Sequence, residues 1–290
     1  MKTNSYELVF ISTCTDSIHI HNLCESVIKY NKYIRIGLII FLQNNVQLKT
    51  YECNSDFVSI HILSSNILHS LSNARNICLE YYVRNCFSSK YIMFPDDDTT
   101  FDESFFMNFS KIVTSNMLID VLCEGTREPY VTFKDLKDGE YTACYKHAMS
   151  VNMIVKSDNA LEIGGFDESL GVGARYGAGE DGDYFIRVCK QFGPFKYTNQ
   201  LWNYHPSADS KYSQISLIRL LKRYKTYGEG VIYLLLKHKM YFEAIKCVLS
   251  GFAGAIIAFF LNFNIKLSIA RFYGGMTRFS FYLKFLLKKS

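Results

Sequence analysis

Residues 90–100 read KYIMFPDDDTT, and this stretch decides the fold. The segment Lys90–Phe94 predicts a short buried strand, and Pro95 ends it because proline cannot donate to a sheet ladder. Asp96–Asp98 then emerge at the carboxyl end of that strand, where open α/β sheets bind their ligands. The stretch therefore predicts an α/β domain with a ligand site at this edge of the sheet.

The segments before this strand alternate in the way that is typical of α/β domains. Apolar runs at Leu8–Ile11 and Ile36–Leu42 predict further strands, separated by mixed segments of helical length. Ser72–Asn76 predicts a helix start with Ser72 as N-cap, and we expect this helix to run to about Cys86. A mostly parallel sheet flanked by helices follows from this order.

Composition excludes a disordered chain and indicates a reduced environment. Of 290 residues, 49% are hydrophobic and only four are proline, so no Pro-rich linker divides the chain. The nine cysteines are odd in number and form no Cys-x-x-Cys pair, which favours a cytosolic setting. Met1–Tyr6 is polar and leads into a strand, so we expect no secretion signal.

Charge divides the chain after Ser210. Residues 211–290 carry 14 Lys and Arg against two Glu, a net charge of +12, whereas residues 1–210 carry 18 basic and 25 acidic residues, a net charge of −7. Such asymmetry predicts that the two parts of the chain have different functions. The basic part is also rich in aliphatic and aromatic residues, which favours an anionic membrane surface over nucleic acid as its partner.

An uncharged run of nineteen residues, Cys247–Ile265, lies between Lys246 and Lys266 in this basic part. A spanning helix needs about 20 mainly apolar residues, and the Ser, Gly and Asn residues in the run weaken that interpretation. The flanking segments Leu217–Tyr227 and Phe279–Leu287 mix apolar residues with Lys and Arg, as interfacial helices do. We expect in-plane membrane attachment, with a helical cap on the preceding domain as the alternative.

The three aspartates have two interpretations, a metal site and a simpler structural one. Mg²⁺ and Mn²⁺ prefer oxygen ligands and commonly share one or two carboxylates with substrate phosphates. Asp96 and Asp98, one residue apart, suit such a cation beside a nucleotide diphosphate. The alternative is a solvated acidic turn that leads into a helix cap.

A second acidic cluster follows further along the chain. Gly164–Glu168 reads GGFDE, the glycine-rich stretch Gly171–Gly179 comes next, and Glu180–Asp183 begins a segment whose apolar helical face starts at Tyr184. Helix capping alone would explain acids in a first helical turn. A flexible loop paired with a strand-end metal site instead favours a general base in this cluster.

Four blocks of the chain together resemble the family 2 glycosyltransferases of the GT-A fold, especially bacterial enzymes that build surface polysaccharides. They span roughly residues 6 to 205 and are Phe10–Thr13, Ser72–Asn76, Pro95–Asp98 and the region from Gly164 to Asp183. The resemblance implies a Rossmann-like mixed, mostly parallel sheet. It also implies that Asp96 and Asp98 bind ribose and the metal, Mn²⁺ or Mg²⁺, with Asp97 as a further phosphate or metal neighbour.

The resemblance assigns roles to three later residues. Asp181 is expected to be the catalytic base of an inverting displacement, with Glu180 beside it contacting the acceptor hydroxyl and Asp183 secondary. Both acidic motifs should then border one cleft. His205, in the segment WNYHP, is similar to the late histidine that completes the metal shell in this fold, and its alternative is a hydrogen-bonded structural histidine.

The donor side of the site is also implied by the resemblance. Thr13, Thr15 and Asp56 are expected near the nucleoside, although Asp56 also suits an ordinary turn in Asn-Ser-Asp. Arg75 is expected either to contact the diphosphate or to brace the aspartates. On the acceptor side, the polar and aromatic stretches Gly125–Tyr130 and 135–145 suit a binding surface.

The sequence therefore predicts a metal-dependent inverting glycosyltransferase that moves a sugar from a UDP-sugar to a glycan acceptor, lipid-linked, at the inner face of the cell membrane. We expect a catalytic domain at 1–210, with a nucleotide-sugar half at 1–98 and an acceptor half at 99–210, and a helical, basic, membrane-associating tail at 211–290. P-loop and dinucleotide enzymes are excluded because their glycine motifs are absent. A non-catalytic glycan- or membrane-binding protein of the same fold is the alternative.

Overall fold

A computed structural model of the protein describes residues 5–47, 55–114, 119–123, 133, 135–206 and 215–287. The strands are β1 Ser5–Cys14, β2 Ile36–Leu42, β3 Val58–Ser64, β4 Ser88–Met93, β5 Val121–Cys123, β6 Tyr141–Thr142, β7 Met153–Lys156 and β8 Phe195–Thr198. The helices are α1 Ser17–Tyr30, α2 Leu71–Arg84, α3 Glu103–Thr114, α4 Ser157–Ile163, α5 Glu180–Phe192, α6 Leu217–Lys237, α7 Tyr241–Phe260 and α8 Ile265–Leu287. Short 3₁₀ turns lie at Tyr145–His147 and Ser150–Asn152.

The eight strands of the described residues form one mixed sheet in the order β3-β2-β1-β4-β7-β5-β8-β6. The pairs β3/β2, β2/β1, β1/β4 and β5/β8 are parallel, whereas β7 and β6 pair antiparallel with their neighbours. β1 therefore has a parallel neighbour on each side, β2 and β4. Strands β2 and β3 are added on one side of β1 and β4 on the other, and such a switch point in strand order opens a crevice at the carboxyl ends of the strands.

The two faces of the sheet each bury an apolar layer, because successive side chains of a strand point to opposite sides. Leu8 and Phe10 of β1 belong to a core that includes residues of α1 and α3. Val9 and Ile11 belong to a second core with residues of α2 and α5. The near-continuous apolar strands that the sequence shows are those of a sheet covered on both faces.

Local predictions agree with the structure except at the start of α2. β2 has the predicted bounds, Ile36–Leu42, and β4 includes the predicted strand as far as Met93. The prediction of Ser72 as an N-cap was wrong, because α2 begins at Leu71. The Ser72 hydroxyl instead donates to the carbonyl of Leu170 at 2.6 Å.

The described residues divide into two compact units. The first comprises segments 1–69, 73–166 and 184–207 and holds the sheet; the second comprises 70–72, 167–183 and 208–290. In the second unit, α6, α7 and α8 pack together at small residues: a Cβ on Gly251 of α7 would lie 2.8 Å from the Cα of Gly275 of α8. The predicted C-terminal helical region is confirmed. α7 is long and apolar enough to cross a membrane by length and composition.

Candidate active site

The three aspartates leave β4 in a tight turn and are followed by a short pairing with a distant segment. Thr99 N donates to the carbonyl of Asp96 at 3.0 Å, which closes the turn. Thr100 and Tyr204 then exchange two backbone hydrogen bonds of 2.9 Å each, an isolated antiparallel bridge. This bridge brings the residue after Tyr204, His205, beside the aspartates.

Asp96, Asp98 and His205 form a compact group at the carboxyl end of β4. His205 Nε2 lies 3.1 Å from Asp98 Oδ1 and 3.5 Å from Asp96 Oδ2. One ligand atom from each of the three residues lies within 4.8 Å of the others, a spacing that a single metal ion could bridge. His205 therefore lies within ligand distance of the two carboxylates and is also hydrogen-bonded to both, so its position fits either of its two interpretations.

Asp96 is held from the side opposite His205. Arg75 Nη2 donates to Asp96 Oδ1 at 3.0 Å, and Ser150 Oγ donates to the same oxygen at 3.3 Å. The Arg75 side chain is buried, and its guanidinium lies 5.1 Å from the ring centroid of Phe166. Arg75 thus braces the aspartates, one of its two predicted roles, and fixes one carboxylate oxygen while the other faces His205.

Opposite charges keep this group ionised in the absence of a cation. Burial alone would raise the pKa of Asp96, but the His205 hydrogen bond and the Arg75 charge outweigh it and the pKa is lowered. Burial would lower the pKa of His205, but hydrogen bonds to Asp96 and Asp98 outweigh that effect and raise its pKa to about 9. The imidazolium thus supplies positive charge beside the two carboxylates.

The segment that carries His205 is anchored by its aromatic neighbours. Trp202 Nε1 donates to Asp102 Oδ2 at 3.3 Å, and Tyr204 OH donates to the same oxygen at 3.2 Å. Asn203 Nδ2 donates to the carbonyl of Val151. These bonds explain why the WNYHP segment is polar and aromatic together: the rings pack while their polar atoms bond to the loop that follows the aspartates.

Thr13, Thr15 and Asp97 lie near the same edge of the sheet. Thr13 is half-buried at the end of β1, and Thr15 is exposed just beyond it. The carboxylate of Asp97, after burial, helps to raise the pKa of Cys14 to about 12, which places its charge close to the end of β1. β1 and β4 thus bring these three residues to the switch point.

The structure does not bring Asp56 to this group. Asp56 is exposed in the turn before β3, whose first residue is Val58. β3 runs parallel to β2, and β2 runs parallel to β1. Asp56 therefore lies at the amino ends of the strands, the edge opposite Thr13, and its alternative as an ordinary turn residue is the one that fits.

A polar network at the ends of β2 and β3 occupies the edge where Asp56 was expected. Gln43 Oε1 accepts from His69 N at 2.8 Å, and His69 Nδ1 lies 2.7 Å from Asn73 Oδ1. Ser65 Oγ lies 3.0 Å from His69 Nε2. Apart from Asn73 in the SNARN block, nothing in the sequence singled out these residues, because only the strand order assembles them. Ser150 was missed for the same reason.

The second acidic cluster lies in the second unit, in the first turn of α5. Gly179 precedes it with φ +100, a conformation that favours glycine. Glu180 is buried, and Asp181 is half-buried. Asp183 is fully buried and is bound by Lys237 Nζ at 2.7 Å and His238 Nε2 at 2.9 Å, so its role in the fold is structural.

The glycine-rich stretch before α5 is tied down within the second unit. Leu71 N donates to the carbonyl of Val172 at 2.9 Å, and Gly177 N donates to that of Thr226 at 3.2 Å. A Cβ on Gly171, where φ is +99, would lie 3.0 Å from Ser72 Oγ. The metal-type group belongs to the first unit, so the shared cleft with Asp181 stays a prediction. Gly125–Tyr130 lies outside the described residues.

A mixed sheet with an acidic group at its switch point defines the class of α/β proteins that bind ligands at strand carboxyl ends. No protein-family model and no curated protein matches the sequence. Solved structures do match the fold. S. aureus TarS 1–349 is 10% identical, with 97% of this chain and 92% of that chain covered and a TM-score of 0.51.

Two further solved structures that match are complexes with nucleotide sugars. The complex of TarS 1–349 with UDP-GlcNAc is 12% identical over 97% of this chain and 92% of that chain, with a TM-score of 0.53. The mannosyltransferase PcManGT from Pyrobaculum calidifontis, in complex with GDP-Man and Mn²⁺, is 10% identical over 94% and 87%, with a TM-score of 0.60. At these identities the likeness shows the fold, and the predicted GT-A fold is confirmed.

Proposed function

We propose that this chain is a metal-dependent glycosyltransferase that moves a sugar from a nucleotide diphosphate sugar to a glycan acceptor. The observation that carries the proposal is the Asp96, Asp98 and His205 group at the switch point of a GT-A fold. Fold alone does not define function. The group supplies the chemistry that the fold lacks, because two carboxylates and an imidazole converge at the edge where ligands bind.

The donor set fits a divalent cation of the Mn²⁺ or Mg²⁺ type. Two carboxylate oxygens and one imidazole nitrogen are ligands that Mn²⁺ accepts readily, and Mg²⁺ shares the carboxylates. Asp96, Asp98 and His205 would hold the ion, with Asp97 as a neighbour of the phosphates. A bound ion would offset the negative charge that grows on the departing diphosphate.

The described contacts suit that task without further movement of Asp96. Arg75 and Ser150 occupy one carboxylate oxygen, so the other is presented towards His205. Supporting bonds of this kind orient metal ligands and maintain their affinity. His205 must lose its proton to bind a cation, and its position against two carboxylates favours exchange of one positive charge for another.

For the second half of the reaction we propose Asp181 as the base. Its carboxylate would take the proton of an acceptor hydroxyl as that oxygen attacks the anomeric carbon, and the C–O bond to the diphosphate breaks with inversion. Glu180 would contact the acceptor. Support comes from the first turn of α5, where a glycine-rich segment leads directly to these acids.

We further propose a UDP-sugar donor, a lipid-linked glycan acceptor and a cytoplasmic location at the inner face of the cell membrane. The solved structures of the same fold are described with UDP-GlcNAc, UDP and GDP-Man, which supports a nucleotide sugar in general. The net charge of +12 in residues 211–290 supports attachment to anionic lipids. An attached enzyme would meet a lipid-linked acceptor where it acts, in surface polysaccharide synthesis.

A panel of UDP-sugars and GDP-sugars, assayed for nucleotide release with and without Mn²⁺, tests the proposal. We expect one donor to be turned over, EDTA to stop the reaction, and Asp98→Ala and Asp181→Asn each to lower kcat/KM by about 100-fold or more. Asp158→Asn, an exposed acid at the start of α4, is the matched control and should retain activity.

The alternative, a non-catalytic protein of this fold, predicts a different outcome. Wild-type protein would then release no nucleotide from any donor with any acceptor glycan present, while still binding glycans or vesicles. Metal-independent turnover that Asp98→Ala leaves unchanged would equally contradict the proposal.

A further inference from the structure

α7 and α8 form an antiparallel hairpin, and hydrogen bonds join the sides of the two helices that face each other. Arg271 Nη1 donates to the carbonyl of Gly254 at 3.0 Å, and Arg278 Nη1 donates to that of Cys247 at 3.0 Å. Each pair steps by seven residues, in opposite directions along the two helices. The guanidinium groups of α8 are thus committed to the backbone of α7, and both helices are held together along their length.

The end of the hairpin exposes a concentration of large apolar side chains. Phe260, Leu261 and Phe263 are 65%, 72% and 85% exposed, and the neighbouring Ile265 is exposed as well. No charged residue occurs between Lys246 and Lys266. Single exposed apolar residues are ordinary on a protein surface, but a contiguous patch of them marks an interaction site.

Several polar groups at this end are bonded within the hairpin. Asn264 N donates to the carbonyl of Ala258 at 2.8 Å, and Ser268 Oγ donates to that of Ala255 at 2.9 Å. Asn264 Oδ1 accepts from Leu267 N at 2.9 Å, so it caps α8. Polar groups that enter a bilayer must be bonded internally, and these are.

Phe263 is held in an unusual conformation for an aromatic residue. Its φ of 49° lies in the left-handed region, which costs a side chain with a Cβ about 1 kcal/mol or more in an ordinary peptide. In water its ring packs against little, since it is the most exposed of the large apolar residues. The turn that ends α7 imposes this conformation through the bond from Asn264 N to the carbonyl of Ala258, and it leaves the ring directed away from the rest of the protein surface.

The position of Arg271 limits how deeply the hairpin can enter. A charged side chain at the centre of a bilayer is strongly unfavourable, and Arg271 is fixed to Gly254, in the second half of α7. Spanning by α7 would carry that guanidinium inwards. From Gly254 to Leu261, by contrast, the helix advances only about 10 Å at 1.5 Å per residue, which matches the depth of about 5–10 Å at which interfacial helices lie.

We propose that the hairpin tip, the uncharged residues 255–265, inserts into the acyl region of one leaflet of an anionic bilayer. This deepens the membrane part of the proposed function, on which it rests, and does not depend on the catalytic part. A groove of about 650 Å³ beside the tip is lined by Ile256, Phe259, Phe260, Ile269, Phe272 and Met276 among others. It fits the lipid acyl chains next to the tip, while the net positive charge of residues 211–290 meets the headgroups.

The matched pair Phe263→Glu and Phe242→Glu tests the insertion. Phe242, at the start of α7 and therefore at the opposite end of that helix from the tip, is 69% exposed and undergoes the same substitution. Vesicles of phosphatidylcholine with about one third phosphatidylglycerol are floated with each variant. We expect Phe263→Glu to weaken partitioning by about tenfold or more, Phe242→Glu by less than about twofold, and pure phosphatidylcholine to bind wild type less well.

Depth is measured with a tryptophan at the tip. The chain has one Trp, so Phe263→Trp adds a single new emission to that of Trp202. Lipids brominated along the acyl chain should quench the added emission and leave the Trp202 emission unchanged.

Equal flotation of both glutamate variants, or an unquenched tip tryptophan, would overturn the proposal. So would a dimer in vesicle-free solution that Phe263→Glu dissociates, because the tip would then cover a second copy of the chain. Nucleotide release from a soluble donor should be the same in wild type and Phe263→Glu. If neither wild type nor Phe263→Glu released nucleotide, the catalytic proposal would be rejected. The vesicle experiment would still test the insertion by itself.

Discussion

Asp96 binds three side chains with its two carboxylate oxygens, and this division of contacts has a measurable consequence. Oδ1 accepts from Arg75 and Ser150, whereas Oδ2 faces His205. Without the guanidinium, the Asp96 carboxylate would be less firmly oriented and would lose a buried positive partner. Supporting groups of this kind typically change metal affinity by about 10- to 100-fold.

We therefore expect Arg75→Met to weaken Mn²⁺ binding by about 10- to 100-fold, with both proposed carboxylate ligands still present. Titration of Mn²⁺ followed by calorimetry measures the effect. Arg84→Met is the matched control, because Arg84 lies on the same helix and makes only an exposed pair with Glu80. Unchanged affinity in Arg75→Met would show that the guanidinium does not support the site.

Direct removal of a proposed ligand should have a larger effect than removal of its support. Asp98→Asn keeps the size of the side chain and removes its charge, so we expect Mn²⁺ affinity to fall further than in Arg75→Met and turnover to fall with it. His205→Gln should behave similarly. Wild-type Mn²⁺ affinity in both variants would place the cation elsewhere.

For single residues, the sequence predicts site residues within a local motif better than residues from separate segments that only the folded topology brings together. The local motif predicts Asp96 and Asp98, the family resemblance predicts His205, and the three residues do meet. Asp56 was misplaced because apolar periodicity gives the extent of a strand and not which end faces the site. Ser150 and His69 carry no local signal, since separate loops bring them to their partners.

Among the elements, α5 and α6 are joined by a buried ion pair that should be sensitive to substitution. Asp183 is 0% exposed and accepts from Lys237 and His238. Lys237→Met removes the lysine charge from that buried carboxylate. We expect a loss of unfolding free energy of about 3 kcal/mol, at the low end for a broken buried pair because the lysine itself is partly exposed. Urea unfolding measures it, and Lys239→Met is the control.

The same pair gives a pH dependence with a definite sign. Burial would lower the pKa of Lys237, but its bonds with Asp167 and Asp183 outweigh burial, and the pKa is raised above 10.5. The stabilisation is therefore fully present below about pH 10.5 and is lost as pH rises through the folded-state pKa. We expect the difference in stability between wild type and Lys237→Met to shrink above pH 10.5, and a constant difference would contradict this.

The close approach of α7 and α8 predicts opposite outcomes for two glycines one turn apart. A Cβ at Gly251 meets the backbone of Gly275 at 2.8 Å, whereas a Cβ at Gly254 meets only the Arg271 side chain, at 3.2 Å or more. We expect Gly251→Ala to destabilise by about 1–3 kcal/mol through forced separation of the helices. Gly254→Ala should stay within about 1 kcal/mol of wild type, helped by the helix propensity of alanine. Thermal unfolding compares them.

The long, strongly patterned elements were predictable, and the short ones were not. β2 is a seven-residue apolar run and has the predicted bounds. β5, β6 and β7 have two to four residues each, and they become strands only because neighbours supply their hydrogen bonds. Their antiparallel pairings make the sheet mixed, a feature that the sequence predicted only through resemblance to a family.

For the whole molecule, the cysteines report on unfolding. The eight described cysteines are free thiols: Cys86 and Cys144 are exposed, whereas Cys14, Cys24, Cys78 and Cys123 are buried. Burial also raises the pKa of Cys78 to about 12, which keeps it protonated. We expect Cys86 and Cys144 to react rapidly with a thiol reagent and the buried four only in urea. Cys86→Ser and Cys144→Ser should each remove one rapid equivalent.

For the whole molecule, charge patterning predicts that residues 1–210 and 211–290 have different functions. The structure shows how the apolar residues of the second part are arranged. Residues 211–290 are strongly basic, and within them one end of a hairpin exposes Phe260, Leu261 and Phe263 with no charged residue between them. Composition cannot show this concentration, since it depends on which helix faces pair. The predicted in-plane attachment and the proposed tip insertion lead to different expected results in the vesicle experiments above.

The bridge between Thr100 and Tyr204 joins two segments a hundred residues apart in the chain, and this has a consequence for synthesis. A ribosome makes Asp96 and Asp98 long before it makes His205. A nascent chain that has emerged only as far as β8 can form the sheet and the aspartate turn but lacks the third ligand. Metal binding at the proposed site would then stabilise only chains in which His205 has been synthesised, so this contribution to stability would come late in folding.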